Sequence, residues 1–268
     1  MLISPYTNDW LKHLDAMSLN AADFGTNIYL LLDGVFVPKL HRKMAELSPA
    51  LLFESLPGCN DETRDVSPFL IPYEKNSPHF ARYLAQCSGW PMVSVIETSE
   101  NKSELAERLA AWCVIEADGQ RFNFRFPDTR RLPTIFSVLT QEQKSQMAGP
   151  AKRWSFVGRD GTWQDLPVVP TVCSVVDRPA LDERQFAKLV GDSESDEMLT
   201  MLVDRGYDIV SEPYLYYEIV SRALGAAQNR LLDAWAKLDW CEYCVREGKL
   251  TTTEQIAANF ATWHTEST

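Results

Sequence analysis

The sequence predicts an α/β protein: a mixed-sheet lobe over residues 1–165, followed by an all-helical lobe over residues 166–268 that is entered through a proline-rich linker. Three observations carry that reading. Short apolar runs alternate with amphipathic stretches up to about residue 165, the pattern of strands layered against helices. Pro167, Pro170 and Pro179 then interrupt a valine-rich segment in which helix is disfavoured. Beyond it, apolar residues recur at intervals of three and four, the spacing of a helix face.

The elements follow in order. Trp10, Leu14 and Met17 recur at helical spacing behind Asn8 and Asp9, either of which suits an N-cap. Ile28-Tyr29-Leu30-Leu31-Leu32 reads as a buried strand closed by the Asp33-Gly34 turn signal. A helix is expected after Pro38, and strands at Leu51-Leu52-Phe53, Phe69-Leu70-Ile71 and Met92 to Ile96. Pro78 opens a helix carrying Phe80, Tyr83 and Leu84, and Asn101 with Glu104 forms a capping box ahead of a helix over 103–113. Phe122, Phe124 and Phe126 alternate with polar residues at period two, and Trp154 to Trp163 reads as a hairpin. In the helical lobe four or five helices are expected, including one amphipathic run from Glu218 to Leu238 and a last one from Thr251 to Trp263.

Charge excludes some partners. The 26 basic and 37 acidic residues give a net charge of -11, a field that repels nucleic acid phosphates and anionic membranes. Residues 1–166 carry 17 basic and 20 acidic residues and residues 167–268 carry 9 and 17, so the acidity lies in the helical lobe. No run reaches the length of a bilayer span and the N-terminus lacks a signal pattern, so a cytoplasmic location is expected. In a reducing compartment the six cysteines, Cys173 among them, read as small apolar residues.

Few motifs carry chemistry. Cys241 and Cys244 have the spacing of a redox dithiol or half a zinc site, but two further ligands are missing and His264 is the only nearby histidine. The pair also falls late in a helical stretch, which favours two packed thiols. No nucleophile elbow, Walker loop or dinucleotide fingerprint is present, and none of the four histidines sits in a catalytic motif. No catalytic residue, metal site or cofactor is therefore expected. The most distinctive segment is Arg121 to Leu132. There a strand ends at Pro127, Asp128 is placed to cap the next helix, and Arg125 and Arg130 lie near enough to pair with it. Tyr214, Tyr216, Tyr217, Trp235 and Trp240 crowd the acidic lobe, where amphipathic rings suit a protein partner, and they are the expected partner-binding residues.

Four elements taken in order give a resemblance: Tyr29-Leu30-Leu31-Leu32-Asp33-Gly34, Ser67 to Ile71, Ser88-Gly89-Trp90-Pro91, and Phe124-Arg125-Phe126-Pro127-Asp128-Thr129-Arg130. Over roughly Ile28 to Leu139 the chain resembles the type VI secretion adaptor chaperones, also called Tap or TEC proteins, whose shared region is catalogued as a domain of unknown function. Many relatives have proline before the final arginine of the fourth element. Thr129 stands there in this chain, which loosens the turn and keeps the charges. The resemblance implies a non-enzymatic adaptor that binds a secreted effector and helps load it onto the VgrG spike. It also marks Asp33, Gly34, Arg125, Asp128 and Arg130 as matched motif residues without a catalytic role. The alternative is an enzyme or ligand-binding protein with its site around Asp128, Arg125 and Arg130.

Overall fold

The computed structural model describes residues 2–75, 78–172, 175–228, 230, 232–247 and 252–267; Cys173 and Leu231 lie outside them. Two compact units are formed, residues 2–189 and residues 190–268.

The first unit is built on a six-stranded sheet, β1 (Asn27–Leu32), β2 (Ala50–Leu51), β3 (Phe69–Pro72), β4 (Val93–Thr98), β7 (Arg153–Val157) and β8 (Trp163–Asp165), in the order β2-β3-β1-β4-β7-β8. Each neighbouring pair in it runs antiparallel. The central strand explains why its sequence is apolar throughout rather than alternating. Ile28, Leu30 and Leu32 enter one core with α1 (Trp10–Phe24), α2 (Leu40–Lys43) and α4 (Pro78–Ala85). Tyr29 and Leu31 enter the other with α5 (Lys102–Ala111), α6 (Leu132–Val138) and α7 (Gln141–Ala148). Both faces are covered, so every side chain of that strand beyond Asn27 is buried. A short helix α3 (Asp61–Asp65) precedes β3, and the capping box expected at Asn101 and Glu104 is formed at the start of α5.

A separate hairpin, β5 (Val114–Ala117) and β6 (Gln120–Asn123), turns through Asp118 and Gly119, both at positive φ. The alternating phenylalanine run is thus a strand only to Asn123, whereas Phe124 and Phe126 continue as buried non-strand chain.

The division between units falls at 189/190 rather than at 165/166. Residues 166–189 stay with the first unit because their backbone is bonded into it. The Leu166 N–H donates to the Trp154 carbonyl, and Glu116 exchanges hydrogen bonds with Pro179 and Leu181 at 2.9 Å each. Leu166 and Leu181 are buried in the same core as Trp154. Pro167, Pro170 and Pro179 keep helix out of the described residues from Leu166 to Asp182, but they do not make the segment a free linker.

Helix α8 (Glu183–Gly191) leads to α9 (Glu194–Asp204), α10 (Pro213–Ala227), α11 (Ala234–Arg246) and α12 (Thr253–Ser267). The single amphipathic run expected over 218–238 is two helices, because the Asp233 carboxylate accepts the Ala236 N–H at 2.8 Å and starts a new one. At the centre of this unit, Trp240 is fully buried against Tyr243, Phe260 and Trp263, and its indole N–H donates to the Ala223 carbonyl at 2.8 Å. The expectation that Trp240 meets a partner is therefore corrected: it fills the core where three helices converge. Among the described residues no helix is long and apolar enough to cross a membrane.

Candidate functional site

The four sequence elements that carry the resemblance meet at one corner of the first unit. Asp33 follows β1, and its carboxylate accepts from the Arg125 guanidinium at 2.8 Å and from the Val35 N–H at 3.1 Å. Burial pushes the Asp33 carboxyl above the ordinary carboxylate value, while Arg125 pulls it back. Asp128 takes both prongs of Arg130, Nε at 3.0 Å and Nη2 at 2.7 Å, and Arg125 stands 4.0 Å from the same carboxylate. Both acids are nearly inaccessible, Asp33 at 1% and Asp128 at 3% exposure.

Asp128 does not cap a helix as expected. Helix α6 starts at Leu132 without a side-chain cap, and Asp128 Oδ1 instead accepts the Arg130 backbone N–H at 3.1 Å. That bond closes a tight turn two residues long. The main-chain carbonyl of Asp128 then accepts from Arg131 and Leu132 as the helix begins.

The other two elements complete the corner through backbone. The Thr129 N–H donates to the Pro91 carbonyl at 3.0 Å, and the Asp33 N–H donates to the Met92 carbonyl at 3.0 Å. Gly34 lies against the Ser67 carbonyl so closely that a Cβ would stand 2.3 Å from its oxygen. Here glycine is needed for space, not for a special φ. Gly34→Ala should therefore destabilise the unit by about 1–3 kcal/mol, since backbone on both sides must move; chemical denaturation of the variant measures it.

One residue of the corner carried no sequence signal. Phe36 is half-buried, stacks with Trp90 at 6.0 Å, and lies under both arginines, 5.5 Å from Arg125 and 5.8 Å from Arg130. A second buried ion pair also escaped sequence reasoning. Arg108, 2% exposed, pairs with Glu100 and donates to the Met147 carbonyl. Its signal was positional: Arg108 follows Leu105 by three residues on the apolar face of α5.

Chemically the corner is closed. Each carboxylate is neutralised by guanidinium groups, and Arg125, 38% exposed, is the main polar group it shows to solvent. The expected partner residues divide differently. Trp235 is 66% and Tyr214 38% exposed, whereas Tyr216 and Tyr217 lie half-buried against the helical core. Cys241 and Cys244 are buried free thiols, each pushed up to about 12 by burial, the opposite of a reactive dithiol. Among the described residues no cluster of metal-ligating side chains is formed.

Fold and site together define an antiparallel α/β unit locked at one corner by crossed carboxylate–guanidinium pairs, joined in sequence to a helical unit. Residues 28–146 match the family model described as Domain of unknown function (DUF4123), a span that runs from β1 through α7 and contains the whole corner. No curated protein and no solved structure matches the chain.

Proposed function

We propose that this protein is an adaptor that holds a type VI secretion effector in the cytoplasm and helps load it onto the VgrG spike. The observation that carries the reading is the convergence of the four family elements on one internal corner. A pattern whose acids are buried and fully paired maintains a fold, and it leaves recognition to other surfaces. The matched domain-of-unknown-function span over 28–146 supports the same relationship. The exposed rings of Trp235 and Tyr214, on a segment with a large acidic excess, supply the anchoring chemistry of a polypeptide interface. Binding would stabilise a client segment by mass action, with no bond made or broken.

The test is co-purification with an effector encoded beside this chain's gene, followed by titration of the purified pair. Binding at micromolar concentration or tighter is expected. Trp235→Ala combined with Tyr214→Ala should weaken it about tenfold or more while the fold is kept. A chain that holds neither effector nor spike protein would end this reading.

A further inference from the structure

We propose that the outer edge of β6 is a strand-addition site for an extended polypeptide segment bearing an apolar residue and, two positions along, a lysine or arginine. The proposal concerns the chemistry of the segment and stands whether or not the partner is a secreted effector.

Backbone valences come first. In β5, Glu116 spends its N–H on Pro179 and its carbonyl on Leu181, on the side away from β6. Glu116 faces Arg121 in the hairpin register, so that pair is a non-hydrogen-bonded one, and the bonded pairs are Ile115 with Phe122 and Ala117 with Gln120. The bond from the Phe124 N–H to the Cys113 carbonyl at 2.8 Å continues the same alternation. It follows that the N–H and C=O groups of Arg121 and Asn123 point away from β5. Among the described residues no hydrogen bond of the protein takes them up, and Gln120, Arg121 and Asn123 are exposed. Two donors and two acceptors thus stand at strand spacing on an open edge.

Side chains then specify the occupant. Gln120 and Phe122 share one face of the hairpin, and with Ala117, Leu181 and Phe186 they line a groove of about 500 Å³. Phe122 and Phe186 form its apolar floor, with ring centroids 4.6 Å apart. The rest of its lining is acidic, Asp118, Asp182 and Glu183, with no basic side chain among the lining residues. A strand added to β6 directs alternate side chains into this groove. The residue opposite Phe122 meets rings, and the residue opposite Gln120 meets the carboxylate of Asp118, so apolar and basic side chains two apart are the complement. A second copy of this chain is a poor occupant, because its own β6 would bring another Asp118 to the acidic rim and its net charge of -11 with it.

The experiment uses the full chain and a synthetic peptide, acetyl-Thr-Val-Thr-Lys-Thr-amide, followed by amide NMR at millimolar peptide. Saturable shifts at Arg121, Asn123 and Asp118 are expected. Arg121→Pro removes an outward N–H that the hairpin itself does not use, so the fold should persist while binding falls about tenfold or more. Arg121→Ala keeps the backbone donor and should bind as the parent does. Asp118→Asn with Glu183→Gln should weaken binding and its salt dependence, and a peptide with glutamate in place of lysine should not bind. Absence of saturable shifts at the hairpin, equal binding by Arg121→Pro, or self-association of the chain through β6 would each overturn the proposal.

Discussion

Replacing Asp128 with alanine is expected to unfold or severely destabilise the first unit, at a cost of about 3–5 kcal/mol. The carboxylate is 3% exposed and satisfies both prongs of Arg130, with Arg125 beside it. Without it, Arg130, only 12% exposed, loses the carboxylate that takes both its prongs in a confined site, and the turn that launches α6 loses its Arg130 N–H bond. Denaturant midpoints of the parent and the variant, compared at neutral pH, check the magnitude. A chemical role for Asp128 predicts a different outcome, a stable variant that has lost an activity.

Trp240→Ala is the second large effect. The indole is fully buried amid three other rings and holds the Ala223 carbonyl, so truncation should cost about 3–5 kcal/mol in the helical unit. Trp235, five residues earlier on α11, is 66% exposed, and its replacement by alanine should leave stability within about 0.5 kcal/mol of the parent. The contrast is informative because the residues are chemically identical and share one helix. Thermal melts that placed both variants together would show that the helix face has been misassigned.

That contrast also marks how far the sequence could be read. The order of strands and helices in the first 165 residues was legible because each apolar run was bounded by turn chemistry or a cap, as at Asp33-Gly34 and Asn101. The hairpin of β5 and β6 was not recognised, although Asp118-Gly119 is among the strongest hairpin signals a sequence carries. Its first strand, Val114 to Ala117, followed directly on the end of α5, and its second was absorbed into the longer phenylalanine alternation. The place of Trp240 was not legible either, since residue type says that a ring is amphipathic but not which way its helix turns it. In the motif corner, the pairing of Arg130 with Asp128 followed from spacing alone. The stronger partner of Arg125 is Asp33, 92 residues away, and only the fold brings that pair together.

The corner and the edge divide the labour of the first unit. Asp33, Arg125, Asp128 and Arg130 fix the loops that follow β1 and precede α6, and the two buried carboxylates are taken up by guanidinium and backbone donors in doing so. The edge of β6 and the exposed ring of Trp235 keep capacity to spare. Holding another polypeptide requires groups of the second kind.

Under the proposed function, isothermal titration of a candidate effector into the parent chain and into Asp128→Asn tests this division most directly. Equal micromolar or tighter affinity in the two proteins, with a lower melting temperature for the variant, is the predicted result. A variant that melts like the parent yet no longer binds, or a parent that takes up no effector at all, would contradict it.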